Sequence, residues 1–325
     1  LVTVEVMCNL LTIQNDQGDT IIHKYFRLKD YETPSPKSAI KLLQVLTSNT
    51  PELDKTFLLL TNRSEENCLH SMLRSYMRDP TDNDRFSHSP PLVKFLQAVA
   101  TQSVIQKLLA NKNVNGEAAI HTISKSFPNL LPQTLEVSGD VALVLYTTDR
   151  HDNTPIHTVA RCATSVLPRL LQLIPMDTLS YIMKNTNSVG DAPLHVIAKQ
   201  VAYANICRKL LGMLPKEVAE QVLFVTNSLS ATPLHTALAH KNQKCFEYMR
   251  ESLGKEKCLS AFGVNIPPNI LEAVRTNTWT AEHRNHFHEQ TSASCYYISQ
   301  VLGKESGNDF KQLSDEKLQS RIAEF

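Results

Sequence analysis

Thr232-Pro233-Leu234-His235 is the clearest of six related tetrapeptides in this chain, each of which ends in histidine. The six copies lie at 20–23, 67–70, 118–121, 154–157, 192–195 and 232–235. Their histidines are 47, 51, 36, 38 and 40 residues apart. Self-similarity at such a period is typical of a solenoid, in which stacked units bury one continuous core. Because a solenoid presents an extended surface, the pattern favours binding over catalysis.

An Asn or Asp stands eight residues before each histidine. These residue types hydrogen-bond their own backbone and tolerate tight turns. Gly18, Gly116 and Gly190 follow three residues later, where a turn needs a positive φ. The Asn/Asp positions are Asn15, Asn62, Asn113, Asp149, Asn187 and Asn227. A tight turn is therefore predicted before each tetrapeptide.

Each tetrapeptide has the pattern of a helix start. Proline is suited to the first helical position, because the N–H that it lacks would have no helical partner there. We expect the Leu or Ile that follows to face the core. We also expect the histidine to tie its turn to the neighbouring turn through a ring hydrogen bond. Each unit is thus predicted to run turn, short helix, reversal and second helix.

The sequence resembles the ankyrin repeat, whose hallmark is Asp-x-x-Gly-x-Thr-Pro-Leu-His followed by two small residues. The resemblance covers residues 1–262 and is weak only at 62–73, where Glu65 and Cys68 replace Gly and Pro. The better matches are the moderate ones at 15–26 and 113–124 and the specific ones at 149–160, 187–198 and 227–238.

The units are longer than an ankyrin repeat of about 33 residues. Part of the excess begins at Pro51, Pro175 and Pro215, each followed by an acid and spaced apolar residues, which predicts a short third helix. Segment 2–15 has a similar pattern, so the chain is expected to begin inside a unit. Proline with Asp, Asn and Ser across 78–91 predicts a loop.

The predicted fold is all-α, an ankyrin-type helical solenoid with extra short helices in its units. About six units occupy residues 1–262, and the first tail is incomplete. The motif is absent from 263–325, which we interpret as a helical C-terminal cap or the start of an appended domain.

The composition of the chain indicates its compartment and disfavours some classes of partner. The seven cysteines are odd in number, scattered and without a CxxC pair, which indicates a reducing, cytoplasmic compartment. No stretch is apolar enough to span a membrane, so no membrane partner is expected. The net charge of +1 and the lack of aromatic stacking positions disfavour nucleic acid.

No catalytic residue, metal site or cofactor is predicted. His283, His286, His288 and Cys295 are metal-ligand residue types, but on a helix residue 288 would leave the face shared by 283 and 286. We therefore interpret this segment as a solvated polar helix. The chain also lacks a nucleophile elbow, a phosphate-binding glycine-rich loop and a dinucleotide fingerprint.

Cations recur four residues after the histidines and form what we call the basic column. In the fold that the resemblance implies, this position faces the concave surface. No acid directly follows these cations, so we expect an uncompensated basic stripe that attracts an acidic protein. The alternative is that each cation only stabilises the end of its helix. The column consists of Arg27, Arg74, Lys125, Arg161 and Lys199, with His240 beside Ala239 in the last unit.

The tips of the predicted turns are a second candidate binding surface, because their residues vary while the surrounding framework does not. The tip residues are Arg150, His151, Ser188, Val189, Ser228 and Leu229.

The sequence therefore predicts a protein-interaction module without enzymatic activity in this span. Its enlarged, irregular units also resemble ankyrin-repeat effectors of intracellular bacteria, which would place it in a host cell's cytoplasm bound to a host factor. The alternative is the substrate-selecting half of an enzyme whose catalytic part lies in 263–325 and in sequence outside this chain. Activity assays with and without 263–325 would discriminate between the two.

Overall fold

A computed structural model describes residues 4–27, 55–78, 91–99, 101–240, 242–254, 257 and 261. Across these ranges the chain is mostly helical and has no β-strand, only the isolated bridges Gln14–Thr20 and Lys112–Ala118. The all-α prediction is confirmed. The chain divides into two compact units, 1–188 and 189–325. The predicted boundary at 262/263, and the segment after it, lie outside the described residues.

The helices of the first unit are α1 (Val4–Thr12), α2 (Ile21–Arg27), α3 (Cys68–Arg78), α4 (Pro91–Val99), α5 (Gln102–Ala110), α6 (Ala119–Ser126), α7 (Leu131–Ser138), α8 (Val141–Leu145), α9 (Pro155–Cys162), α10 (Leu167–Leu171) and α11 (Met176–Lys184). Those of the second unit are α12 (Pro193–Ala198), α13 (Ala204–Met213), α14 (Lys216–Leu223), α15 (Pro233–Ala239) and α16 (Gln243–Leu253). Short 3-10 helices lie at Lys55–Leu59, Pro128–Leu130, Thr164–Val166 and Val201–Tyr203.

The helices that begin in the tetrapeptides pack side by side. In the first unit α2 contacts α3, α3 contacts α6 and α6 contacts α9, and in the second unit α12 contacts α15. Proline opens α9, α12 and α15, as predicted. The apolar residue before each histidine is buried, which confirms that it faces the core. These residues are Ile22, Leu69, Ile120, Ile156, Leu194 and Leu234.

The other helices complete the layers around this row. In the first unit α4 packs against α7, and the rings of Phe26 and Phe95 meet edge to face at 5.5 Å between centroids. The third helices predicted after Pro175 and Pro215 are α11 and α14, and the 3-10 helix Lys55–Leu59 lies in the segment after Pro51. The tail predicted at 2–15 contains α1. Helices α5 and α8 lie just before the turns at Asn113 and Asp149, as α11 and α14 lie just before the next two turns. These two helices were not predicted. The loop predicted at 78–91 falls mostly outside the described residues.

The Asn/Asp residues organise the turns as predicted. In five of the six turns the side-chain oxygen accepts hydrogen bonds from the backbone N–H groups two and four residues later. Asn227 Oδ1, for example, accepts from Leu229 and Ala231, both at 3.0 Å. Asn15, Asn62, Asn113 and Asp149 make the same pair of bonds. One side chain therefore closes each of these turns.

The residue three positions after each Asn or Asp has a positive φ. This conformation was predicted at Gly18, Gly116 and Gly190, where φ is 72°, 69° and 76°. The remaining three turns adopt it without glycine, with φ of 56–57° at Glu65, Asp152 and Ser230. The weakest match to the repeat, 62–73, thus has the same turn as the others. A Cβ at Gly18 would also lie 2.9 Å from the backbone nitrogen of Arg63, so the next turn limits the space there.

Backbone hydrogen bonds join neighbouring turns. In the first unit Arg63 N–H donates to the Gln17 carbonyl at 3.0 Å, and Val114 N–H donates to the Ser64 carbonyl at 3.1 Å. In the second unit Ser228 N–H donates to the Val189 carbonyl at 3.2 Å. We call the turns linked in this way the turn ladder of each unit.

Histidine provides the second link between turns. His23 Nδ1 accepts a hydrogen bond from Thr20 N–H at 3.2 Å, while its Nε2–H donates to the Glu66 carbonyl of the next turn at 2.8 Å. His195 does the same with Ala192 N–H at 3.1 Å and the Ala231 carbonyl at 2.9 Å. The predicted ring hydrogen bond to a neighbouring turn is confirmed. These partners require a neutral ring with its proton on Nε2.

Burial favours the same uncharged state. Loss of solvent lowers the pKa of His70, His121 and His195, since a charged imidazolium loses its hydration inside the protein. The pKa of His235 is lowered to about 4, mainly by burial and to a smaller extent by the nearby His195.

We expect Ser230→Gly to raise the free energy of unfolding by about 0.5–1 kcal/mol, because glycine adopts the positive φ at 230 without Cβ strain. Ser228→Gly is the matched control in the same turn, where φ is not positive, and it should lower stability through a more flexible unfolded chain. Urea denaturation of both variants measures the difference. Changes of the same sign in both would contradict the role assigned to the conformation of Ser230.

We expect stability to fall as the pH drops from about 6.5 towards 4.5, since the buried histidines have folded-state pKa values below the unfolded value near 6.5. The unfolded chain then binds more protons, and each unit of pKa difference corresponds to about 1.4 kcal/mol. Urea denaturation across this range measures the slope. His235→Gln should reduce the slope, because it removes the buried group whose pKa is about 4 in the folded state. A flat profile would show that these rings are not held neutral.

Candidate interaction surface

The basic column follows the row of tetrapeptide helices. In the first unit Arg74, Lys125 and Arg161 lie on α3, α6 and α9, three helices that contact one another in that order. Lys125 and Arg161 are exposed. Arg27 ends α2, and its side chain lies outside the described part of the chain. In the second unit Lys199 follows α12 and His240 is exposed after α15.

Two members of the column form ion pairs with buried acids. Arg74 Nη2 contacts Glu66 Oε1, and Lys199 Nζ contacts Asp191 Oδ2. Both carboxylates are almost inaccessible to solvent, whereas both cations keep part of their side chains in water. A related pair joins Lys24 and the buried Asp19 at 3.5 Å. Each acid stands four residues before the histidine of its own repeat.

The expectation of an uncompensated stripe is therefore wrong at Arg74 and Lys199. That expectation was based only on the residue directly after each cation. The compensating carboxylate comes eight residues earlier in sequence, and the turn and first helix bring it back to the cation. The sequence does contain a signal for these ion pairs, which the prediction missed. An acid recurs four residues before the histidine in four repeats, at Asp19, Glu66, Glu117 and Asp191.

The buried acids also link neighbouring turns. Asn62 Nδ2 donates to Asp19 Oδ1 at 2.9 Å in the first unit, and Asn227 Nδ2 donates to Asp191 Oδ1 at 3.1 Å in the second. Asp191 thus accepts from the cation of its own repeat and from the turn of the next one. Lys199 consequently has a structural role, whatever else it contacts.

Lys125 and Arg161 stand in repeats where Glu117 and Asn153 occupy the acid's position. Asn153 carries no charge, and Glu117 is only half-buried. Lys125 forms no ion pair among the residues described. Lys125 is the member of the column whose environment agrees best with a binding role, and Arg161 is exposed beside it in the row of helices.

The turn tips are exposed on turns that hydrogen bonds join to one another. In the first unit Arg150, His151 and Ser188 are exposed, and Arg150 Nε donates to His151 Nε2 at 3.1 Å. Val189 and Leu229 of the second unit keep 54% and 57% of their surface exposed, and Ser228 beside Leu229 is exposed as well. Val114 occupies an equivalent exposed tip, which the sequence reasoning did not single out.

The described residues offer little reactive chemistry. Burial raises the pKa of the Cys68 thiol to about 12, so it stays protonated. No cluster of three or more His, Cys, Asp or Glu side chains within these ranges could hold a metal ion. His283, His286, His288 and Cys295 lie outside them. Of the helices that the structure describes, none combines the length and apolar character that crossing a membrane requires.

The chain matches no model of a known protein family, and no curated protein matches it either.

We expect Lys199→Met to lower the free energy of unfolding by about 1–2 kcal/mol, because it removes a partner from the buried Asp191 carboxylate. The loss should stay below that of a fully buried pair, since the Lys199 side chain is 39% exposed. Lys125→Met is the matched control and should change stability by less than about 0.5 kcal/mol. Equal effects in urea denaturation would contradict the distinction between the two cations.

Proposed function

We propose that this chain is an ankyrin-type helical-repeat module that binds another protein through its turn tips and the exposed cations of its basic column. The observation that carries the proposal is the turn ladder, which holds chemically different, exposed side chains at equivalent positions on a fixed backbone. A preorganised backbone loses little conformational entropy when it binds.

The repeated turn geometry supports the ankyrin-type assignment. Asn/Asp closure, a positive φ three residues later, a proline-led helix and a histidine link each recur along the described chain. Glu65, Asp152 and Ser230 adopt the turn without glycine, so the geometry extends to turns in which the motif is incomplete.

The ion pairs reduce the number of basic-column residues that we assign to partner binding. Arg74 and Lys199 already hold buried carboxylates, so we assign them a smaller share of partner binding. Lys125 and Arg161, with Arg150 at a nearby turn, are the exposed cations that would face an acidic protein. Such charges act mainly by accelerating association at low ionic strength.

The test starts with capture of partners on the immobilised full-length chain and continues with association rates for each captured protein. Lys125→Glu combined with Arg161→Glu should slow association at least about tenfold at low salt and reduce its salt dependence. Arg169→Glu combined with Lys209→Glu makes the same charge change on exposed residues of α10 and α13. This control should retain most of the wild-type rate. Equal rates for both double variants would exclude the basic column as the contact surface.

A further inference from the structure

A depression of about 520 Å³ opens on the first unit beside the turn that begins at Asp149. Its lining comes from the end of α8, from the turn and from α11 with the residues that follow it. The lining includes Tyr146, Thr148, Asp152, Tyr181 and Asn185, and it contains no Lys or Arg. We call this depression the tyrosine pocket. Its volume is within the range of side-chain and small-ligand sites.

Two tyrosines form one wall of the pocket. Tyr146 directly follows α8 and Tyr181 lies on α11, and their rings meet edge to face with centroids 5.0 Å apart at 74°. They remain 37% and 56% exposed, so the pair is open rather than part of the core. The face of an aromatic ring carries negative electrostatic potential and attracts cations.

Asp152 supplies a carboxylate to the same pocket. It is exposed and forms no ion pair within the described ranges. It also occupies the positive-φ position of its turn, with φ of 57°, where Gly18, Gly116 and Gly190 stand in other turns. A residue with a Cβ is less favourable than glycine there, although Asp tolerates this conformation better than most. The acid thus stands where glycine would relieve the backbone.

We propose that the tyrosine pocket receives an arginine side chain of the partner protein. This inference rests on the proposed protein-binding function and names one chemical feature of the partner. A guanidinium is planar and can stack on a tyrosine ring while it donates hydrogen bonds to a carboxylate. The Asp152 carboxylate and the Asn185 amide oxygen are available as acceptors in the lining. The partner would thus present an arginine to this pocket and acidic groups to Lys125 and Arg161.

A positive charge beside the lining opposes the incoming cation. Lys112 Nζ donates to Thr148 Oγ1 at 3.2 Å, which brings an ammonium close to the pocket's lining. Removal of this charge should therefore strengthen arginine binding, whereas removal of the Asp152 charge should weaken it. The two substitutions have opposite expected signs for a cationic ligand, and the signs reverse for an anionic one.

The experiment titrates the full-length chain with a capped Gly-Gly-Arg-Gly-Gly peptide and follows tyrosine side-chain resonances by NMR. Peptides with citrulline, lysine or glutamate in place of arginine are the matched probes, and citrulline has the shape of arginine without its charge. We expect a dissociation constant in the millimolar range for arginine and at least about fivefold weaker binding of the other three.

Four variants locate the binding. Asp152→Asn should weaken it about tenfold, and Tyr146→Leu and Tyr181→Leu about fivefold each, whereas Lys112→Gln should strengthen it about twofold. Asn adopts a positive φ readily, so Asp152→Asn should keep the turn intact. The exposed Tyr181 provides an independent variant if the Asp152 variant unfolds.

Three results would overturn the proposal: no arginine binding at these concentrations, equal binding of citrulline or lysine, and tighter binding after Asp152→Asn. The peptide titration and the partner capture together distinguish a failure of this inference from a failure of the proposed function. Partner capture that persists without arginine binding refutes only the pocket. Arginine binding without any partner that depends on the basic column refutes only the proposed surface.

Discussion

The hydrogen bond from a histidine ring to the carbonyl of the next turn is the constraint on which the rest of the structure depends. The same ring accepts a backbone N–H at Nδ1, so it must be neutral, and burial favours that state. His23 makes this link to Glu66 in the first unit, and His195 makes it to Ala231 in the second. Because the ring also accepts from the backbone at the start of its own helix, one side chain aligns a helix, a turn and the neighbouring repeat.

The charges around the turns form part of the same framework. Asp191 lies between its own Lys199 and the Asn227 of the following turn, so a residue that the sequence suggests for partner binding also supports the fold. The proposed binding groups are exposed side chains: the tip residues, Lys125, Arg161 and the tyrosines and the aspartate of the tyrosine pocket. A rigid base with exposed, dissimilar side chains is well suited to recognition, since only the side chains must become ordered.

The sequence predicted the features that depend on local backbone chemistry. Asn227 identified its turn, Pro193 its helix start and Gly190 its positive φ, because each acts within a few residues. The pairing of Arg74 with Glu66 was missed since it depends on how turn and helix fold back on each other. The tyrosine pocket was missed for a related reason: Tyr146 and Tyr181 are 35 residues apart and meet only when two repeats pack together.

The most direct test of the central constraint is the protonation state of the linking histidines. Nitrogen-15 NMR of the imidazole rings at about pH 7 distinguishes the two neutral tautomers from the charged ring. We expect His23 and His195 to be neutral with the proton on Nε2, and that proton to exchange slowly with solvent because it is buried in a hydrogen bond. A proton on Nδ1, or a charged ring at this pH, would contradict the account.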